Sequence, residues 1–202
     1  MRIAILGTGH MATTLASGFI AAGHTVVFGS RDPAAHSDLA APVTSAVEAI
    51  RDADLVVNAV LASFTLEFLT PLADDLAGKV LLDIGNAVSP SFELMYPTAS
   101  LGELLQQALP ATKVVKSLNT LPGALALAPA SLPEASSVFL SGDDSEAKAL
   151  VSSLLTELGW GVETQVDLGG IASARGVEHY FPLFVAMMQQ FNGTPFNIKV
   201  VR

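Results

Sequence analysis

The chain begins with a glycine-rich turn that separates a short apolar stretch from a segment of helical character. The apolar stretch is Arg2–Leu6, and the turn, GTGHMA at Gly7–Ala12, matches the pattern G-x-G-x-x-A. In such a turn Gly7 permits a tight bend, Gly9 lets the backbone approach a pyrophosphate, and Ala12 is small enough for close packing of helix on strand. Amides at the start of the helix would face the phosphates, where the helix dipole favours negative charge. The turn therefore predicts a strand–turn–helix unit that binds a dinucleotide.

Further apolar stretches alternate with helix-like segments along the rest of the chain. Several are continuous runs of Val, Ile and Leu, as expected for strands of a parallel sheet covered on both faces. Strands are predicted at Arg2–Leu6, Thr25–Phe28, Leu55–Val60, Val80–Ile84, Lys113–Leu118, Ser137–Ser141 and Gly161–Val166. Helices are predicted at Met11–Ala22, Ser45–Arg51, Ser63–Leu76, Ser100–Ala108 and Ser145–Leu158. This alternation predicts an α/β fold with a Rossmann-type, doubly wound, mostly parallel sheet and a small C-terminal helical portion.

A proline-rich stretch suggests a division of the chain. Leu121–Pro133 contains three prolines and marks the expected border. We expect a dinucleotide-binding Rossmann domain at residues 1–122 and a small C-terminal domain at residues 123–202, with one further βαβ unit and a long apolar helix at Ala172–Phe191. Apolar residues recur on that helix at helical spacing, which indicates either a core or dimer stripe or, near its start, one wall of a ligand site. These residues are Val177, Tyr180, Phe181, Phe184, Met187, Met188 and Phe191.

Composition excludes several classes of function. Half of the 202 residues are apolar, which is enough for a large core. Ten Lys and Arg against 19 Asp and Glu give a net charge of −9, which disfavours nucleic-acid partners. The absence of cysteine excludes disulfides, thiolate nucleophiles and iron–sulfur clusters, and the histidines lack metal-ligand spacing, so no metal is expected. No apolar run approaches the ~18–20 residues of a membrane helix, so we expect a soluble, cytoplasmic protein without a membrane partner.

The end of the second predicted strand indicates which dinucleotide binds. A chain that binds NAD places Asp or Glu there to bind the ribose 2′-hydroxyl. This strand instead ends before Ser30 and Arg31, whose hydroxyl and guanidinium suit a 2′-phosphate. The alternative for Arg31 is a solvated surface side chain, and we expect Asp32 to point away. The sequence therefore predicts NADP as the cofactor.

Polar residues follow other predicted strands, at the edge where open α/β sheets bind ligands. Asn86 and Asn119 either hydrogen-bond the ribose or the nicotinamide amide, or are turn-forming residues. Lys116, inside an apolar strand, either reaches an anion or a carboxylate or extends towards solvent. His10 either contacts a phosphate or only occupies the loop.

The sequence lacks the Tyr-x-x-x-Lys pair that would supply a proton during carbonyl reduction. Tyr96 is followed four residues later by Ser100, and Tyr180 by Phe184. Hydride transfer between a nicotinamide and a flavin-type ring requires mainly that two flat rings stack in a dry cleft, and positioning can supply most of the catalysis. We therefore expect a ring acceptor and no acid–base catalytic residue.

Over nearly its whole length the chain resembles the NADPH-dependent oxidoreductases of the deazaflavin coenzyme F420. Four segments carry the resemblance, and the last two are the most specific. They are GTGHMA at Gly7–Ala12, GSRDP at Gly29–Pro33, VVKSLNTLP at Val114–Pro122 and GGIASARGVEHYFPLFVAMMQQFNG at Gly169–Gly193. Related dinucleotide domains occur in membrane metalloreductases.

The resemblance implies a Rossmann domain, a small C-terminal domain, a homodimer and reversible hydride exchange between NADPH and the deazaflavin. It implies that Ser30 and Arg31 hold the 2′-phosphate. It also implies pyrophosphate contacts from Thr8, Gly9, His10 and Met11, a nicotinamide site near Val60, Leu61, Asn86 and Asn119, and an acceptor cleft with Gly170, Ser173 and Arg175. Arg175 would either bind the tail of the deazaflavin or pair with Glu178 one helical turn on.

Three hypotheses follow, of which we favour the first. The chain is an NADP-dependent oxidoreductase whose small-molecule acceptor and co-substrate is coenzyme F420 or a flavin. Alternatively, it reduces a small carbonyl or imine substrate, with water or His179 as the proton donor. In the third hypothesis it is an NADP-sensing module without turnover.

Overall fold

In the computed structural model, which describes residues 1–36 and 38–201, eight strands form one sheet in the spatial order β3-β2-β1-β4-β5-β6-β7-β8. The strands are β1 Arg2–Leu6, β2 Thr25–Gly29, β3 Val43–Thr44, β4 Leu55–Asn58, β5 Val80–Asp83, β6 Lys113–Lys116, β7 Val138–Gly142 and β8 Gln165–Asp167. Neighbouring strands are parallel except β6 and β7, which pair antiparallel. The predicted Rossmann-type, doubly wound and mostly parallel sheet is confirmed.

The helices connect the strands and cover both faces of the sheet. They are α1 His10–Ala21, α2 Ala46–Arg51, α3 Ala62–Leu69, α4 Ala73–Leu76, α5 Leu101–Ala108, α6 Gly123–Leu127, α7 Ser145–Glu157, α8 Ala174–His179 and α9 Phe181–Gln190. Short 3-10 turns lie at Pro33–His36, Thr70–Leu72, Pro129–Ser131, Val162–Thr164 and Ile171–Ser173. The predicted helix Ser63–Leu76 is interrupted by the Thr70–Leu72 turn, because Pro71 has no amide to donate within a helix.

Two buried apolar clusters lie on opposite faces of the sheet. Side chains alternate along a strand, so Ile3 and Ile5 of β1 pack in one cluster while Ala4 and Leu6 pack in the other. Helices α1, α6 and α7 cover the first cluster, and α2 to α5 with α8 cover the second. Burial on both faces explains why the strands are continuous apolar runs instead of alternating patterns.

The expected division at residues 122 and 123 stays a prediction. The β7–α7–β8 segment forms the further βαβ unit that the sequence predicted, since β7 and β8 pair in parallel. Its buried side chains, among them Val151 and Trp160, belong to the same apolar cluster as Ile3 and Ile5 of β1. The two parts of the chain therefore share one sheet and one buried cluster.

The predicted single helix at Ala172–Phe191 is wrong. A 3-10 turn at Ile171–Ser173 leads into α8, and α9 begins only at Phe181. Pro182 lies in the first turn of α9 and cannot donate an amide hydrogen bond to a residue of α8, so the helix breaks there. Val177 of α8 is buried, whereas Phe191, just past α9, remains 44% exposed. The expected apolar stripe is therefore split between two helices.

Within residues 1–36 and 38–201, no helix combines the length and apolar character needed to cross a bilayer.

Candidate functional site

A cavity of about 550 Å³ lies at the carboxyl ends of β1, β2 and β4. In the order β3-β2-β1-β4-β5-β6 the strand order reverses between β1 and β4. Open α/β sheets bind ligands at such a topological switch point. The cavity is lined by Gly7, Thr8, Gly9, His10, Met11, Gly29, Ser30, Arg31, Asp32, His36, Ala59, Val60, Leu61, Phe64 and Phe68. Nine of the predicted ligand-binding residues thus line one cavity, since Gly7 to Met11, Ser30, Arg31, Val60 and Leu61 are all among its walls.

The two glycines of the turn differ in what a side chain would meet. Gly7 has φ +110°, and a Cβ atom there would lie 2.6 Å from the carbonyl oxygen of Ala59. Any other residue at this position would be strained and would push β1 and β4 apart. A Cβ atom on Gly9 would meet no protein atom within 4 Å, and Gly9 lines the cavity. Gly9 therefore leaves open the surface where a pyrophosphate would approach.

The start of α1 supplies hydrogen-bond donors to the cavity. Gly9 is the N-cap residue and has no side chain to accept hydrogen bonds from the first turn. The amides of the first helical turn have no carbonyl partner within the helix, so they can bind an anion. Ala12 does not line the cavity but is buried in the core, in agreement with the close packing expected from its small size.

The residues after β2 form the polar end of the cavity. The Ser30 hydroxyl accepts a hydrogen bond from the Asp32 amide at 3.1 Å, which bends the chain after β2. Arg31 is exposed at the cavity wall, and no carboxylate in the described part of the chain forms an ion pair with it. Asp32 also lines the cavity, contrary to the expectation that it points away.

His36 is a cavity residue that sequence reasoning missed. Its Nε2 atom lies 3.2 Å from the Thr8 hydroxyl, so it joins the turn after β1 to the 3-10 turn after β2. For His36 the sequence offered only the test of metal-ligand spacing, which does not identify a histidine that lines a cavity alone. A polar residue a few positions after Ser30 and Arg31 was the available signal.

The opposite end of the cavity is apolar. Val60 and Leu61 follow β4, whose predicted end at Val60 is corrected to Asn58, and α3 adds Phe64 and Phe68. Leu61 is 69% exposed and Phe64 is 52% exposed, although the phenyl ring of Phe64 is one of the larger apolar groups of the chain. Phe64 and Phe68 are four residues apart on α3 and therefore share one face. This spacing was the signal that could have identified them.

Asn86 and Asn119 bind each other and do not line the cavity. The side-chain amide of Asn86 donates to the carbonyl oxygen of Asn119 at 2.7 Å. Asn119 donates to the side chain of Asn86 at 2.9 Å and to the carbonyl oxygen of Val177 at 3.1 Å. Both amide hydrogens of Asn119 are thus used within the protein, and their predicted contacts with ribose and nicotinamide stay a prediction.

A buried cluster of charged side chains lies at the carboxyl ends of β5 and β6. Lys116 Nζ lies 2.8 Å from Asp83 Oδ2 and 2.9 Å from Glu178 Oε1, and it also donates to the carbonyl oxygen of Gly85. Burial by itself lowers the pKa of the Lys116 ammonium, but the two carboxylates outweigh burial and raise that pKa above its ordinary value. Lys116 therefore reaches carboxylates, one of the two expected alternatives, and does not extend to solvent.

The three predicted acceptor-cleft residues lie in and around the turn before α8. Ser173 donates to the carbonyl oxygen of Gly170 at 2.7 Å and contacts the Ser141 hydroxyl at 2.8 Å. Arg175 does not pair with Glu178, which was one of two alternatives for it, because Glu178 points inward. It instead forms a two-pronged ion pair with Glu103 at 2.6 and 3.1 Å. Hydrogen bonding from Arg175 lowers the pKa of the Glu103 carboxyl.

His179 is used structurally. Its Nε2 atom lies 3.1 Å from the carbonyl oxygens of both Tyr96 and Ala99, and it does not line the cavity. The N–H group therefore holds the loop before α5. This contact gives no support to a role for His179 as a proton donor.

The chain matches a family model described as coenzyme F420-dependent NADP oxidoreductase, over residues 2–87. A crystal structure of a protein from Arthrobacter sp. FB24, assigned as an F420-dependent NADP-reductase, is 35% identical. The structural match covers 100% of both chains with a TM-score of 0.92. The match therefore includes the fold and the full length of that protein.

The chain is also similar to an archaeal reductase and to a membrane metalloreductase. The F420-dependent NADP reductase of Methanocaldococcus jannaschii is 25% identical over 76% of this chain and 70% of its own. Metalloreductase STEAP3 of Rattus norvegicus is 36% identical over 88% of this chain, which corresponds to 36% of the rat protein. The chain thus spans about a third of the length of that metalloreductase.

Proposed function

Because the chain belongs to the family of coenzyme F420-dependent NADP oxidoreductases, we propose that it transfers a hydride between NADP(H) and a flat ring acceptor of the deazaflavin or flavin type. The observation that carries this proposal is the two-ended cavity. One end offers helix amides, a hydroxyl and a guanidinium, and the other end is a wall of exposed apolar side chains.

The polar end fits an NADP molecule. Gly9 leaves room for a pyrophosphate beside the amides of α1, and Ser30 with Arg31 follows β2, where the ribose of a dinucleotide is expected. His36 adds a third polar side chain that can donate to a phosphate oxygen. Arg31 has no carboxylate partner within the described residues, so its charge is available for the 2′-phosphate.

The apolar end fits a ring acceptor. NADP supplies, when bound, the nicotinamide carbon that gives or accepts the hydride. Val60, Leu61 and Phe64 offer apolar surface at the β4 end of the cavity, where the nicotinamide half of a dinucleotide is expected if its adenosine half lies over β2. These side chains would exclude water and hold two flat rings together, and no acid or base is required. We assign no catalytic residue.

The proposed acceptor cleft extends beyond the cavity, whose lining includes no residue of the turn before α8 or of α8. We propose that Gly170, Ser173 and Arg175 form one edge of the acceptor cleft, with Arg175 exchanging its Glu103 partner for an anionic group of the acceptor. We also propose a homodimer, because Leu183, Met188 and Phe191 leave apolar surface exposed along and just after α9, which a second copy would cover.

The test is NADPH oxidation, followed as loss of NADPH absorbance, with oxidised coenzyme F420, FMN and FAD offered separately. Turnover with coenzyme F420 supports the proposal, and turnover with FMN or FAD alone changes the acceptor but keeps the reaction. Binding of NADPH without turnover of any ring acceptor contradicts the proposal and favours a sensing module or a carbonyl or imine substrate.

A matched pair of variants tests the apolar end. Phe64→Ala removes a ring from the cavity wall, whereas Phe92→Ala removes a similarly exposed ring that does not line it. We expect Phe64→Ala to lower turnover with the ring acceptor about tenfold, equivalent to ~1.4 kcal/mol, which is within the range of one aromatic contact. Phe92→Ala should retain the activity of the original chain.

A further inference from the structure

The segment that carries Val60 is held by a side chain that cannot touch a ligand. Asn58, the last residue of β4, is fully buried, and its Oδ1 atom accepts a hydrogen bond from the Val60 amide at 3.3 Å. Its side-chain nitrogen donates to Asp83 Oδ1 at 2.7 Å. The orientation of the Asn58 side chain, and with it the position of the Val60 amide, therefore depends on Asp83.

Asp83 is in turn tied to the far end of the chain. Its second oxygen accepts from Lys116 Nζ at 2.8 Å, and the same ammonium contacts Glu178 at 2.9 Å. Glu178 belongs to α8 and also accepts hydrogen bonds from the Leu101 and Gly102 amides, at 2.8 and 3.0 Å. The hydrogen bonds thus run without interruption from the Val60 amide to the first turn of α5.

The composition of this network indicates more than a contribution to stability. Asp83 and Lys116 are fully buried, and the side chain of Glu178 is 4% exposed. A buried ion pair loses its hydration, so apolar residues of similar volume are often as stabilising or better. What the charged groups provide is geometry, because each carboxylate oxygen binds a specific donor on a different structural element.

We propose that Glu178, Lys116, Asp83 and Asn58 form a positioning network that holds the Val60 segment in the orientation required by the nicotinamide half of the dinucleotide. The network joins that segment to α8, so the Val60 segment and α8 keep a fixed position relative to each other. This inference rests on the proposed binding of NADP, and none of the four side chains lines the cavity. They act through the Val60 backbone.

The experiment compares two ligands that differ in the nicotinamide half. NADPH contains both halves, whereas adenosine 2′,5′-bisphosphate contains only the half expected at Ser30 and Arg31. Dissociation constants are measured by calorimetry for the original chain, Glu178→Gln and Asn58→Ser. Trp160→Phe is the control, because it loses a buried hydrogen bond of 3.1 Å to Ala126 but lies outside the network.

We expect both network variants to bind NADPH about tenfold more weakly and to bind adenosine 2′,5′-bisphosphate as the original chain does. Trp160→Phe should bind both ligands normally, although it lowers the thermal midpoint. Equal weakening of both ligands, or no weakening of NADPH, overturns the inference. So does failure of both network variants to fold while Trp160→Phe folds, because the network would then be structural.

Failure of the proposed function gives a different result. If the original chain binds neither ligand, the assignment of NADP is wrong irrespective of the network. If it binds NADPH but reduces no ring acceptor, the proposed hydride transfer is wrong, and the comparison of the two ligands still tests the network.

Discussion

Replacing Arg31 with alanine should convert a chain that prefers NADPH into one that hardly distinguishes NADPH from NADH. Arg31 lines the polar end of the cavity beside Ser30 and His36. It is exposed and forms no ion pair with a carboxylate of residues 1–36 or 38–201, so the substitution breaks no salt bridge. Its effect should therefore be confined to ligand binding.

The magnitude follows from the charge and exposure of the side chain. A hydrogen bond to a charged group contributes about 1.5–3 kcal/mol, which corresponds to roughly a 10- to 150-fold change in affinity. Coulomb's law gives a similar value, since a unit charge ~4 Å from a phosphate of about two charges contributes ~2 kcal/mol in a water-like dielectric. NADH has no 2′-phosphate, so its affinity should stay unchanged. Raising the salt concentration should reduce the difference.

The assay is fluorescence titration of the original chain and Arg31→Ala with NADPH and with NADH. Arg51→Ala is the matched control, because Arg51 is also exposed but lies on α2 and does not line the cavity. Equal loss of affinity for both dinucleotides would indicate a structural effect, and no loss for NADPH would show that Arg31 is a solvated surface residue. Either outcome would refute the assignment of Arg31 to the 2′-phosphate.

Four further variants test the site, the buried charges and the pH dependence. Gly9→Ala should weaken NADPH binding at least about tenfold and cost no more than ~1 kcal/mol of stability, since alanine is a poorer N-cap residue than glycine. Gly7→Ala should weaken binding as well and lose ~1–3 kcal/mol of stability, measured by urea unfolding, because its Cβ atom would meet the Ala59 carbonyl. Lys116→Met leaves two buried carboxylates without their cation, so urea unfolding should show a loss of about 3–5 kcal/mol, and stability within 1 kcal/mol of the original chain would contradict this. Hydrogen bonding from Arg175 lowers the pKa of the Glu103 carboxyl below its ordinary value of 4.5. The ionised carboxylate therefore adds stability above pH 4.5, and this stability is lost as the pH falls through the folded-state pKa. Glu103→Gln should show a shallower decline in unfolding midpoint below pH 4.5 than the original chain.

Much of the fold could be predicted from local patterns. Six of the seven predicted strands are present with small changes at their ends, whereas the predicted strand Gly161–Val166 is corrected to β8 at Gln165–Asp167, preceded by a 3-10 turn. The two-residue strand Val43–Thr44 was missed because it is too short to show a period. The long C-terminal helix was wrong because the apolar spacing of Val177 and its neighbours outweighed the evidence of Pro182. A proline within an apolar pattern is better read as a helix boundary.

The candidate site divides in the same way. The turn at Gly7 and the end of β2 at Ser30 were predictable, because their geometry depends on a few adjacent residues and on the absence of a side chain. The contacts of Arg175 and Asn119 were not, because their partners come from elements distant along the chain. Pairing within its own helix was one of two alternatives for Arg175, and the side chain instead binds Glu103, 72 residues away.

The sequence by itself determined most of the order of strands and helices, the dinucleotide turn and the absence of an acid at the end of β2. These properties follow from steric limits, burial on two faces and short-range hydrogen bonding. Only the tertiary structure decided that Glu178 faces inward to Lys116 and that Asn119 binds Asn86 and Val177. Such pairings join residues up to 77 positions apart in the chain, and they depend on how β5, β6, α5 and α8 come together. Periodicity shows which side of an element is buried, but the partner of a buried polar group is decided by packing.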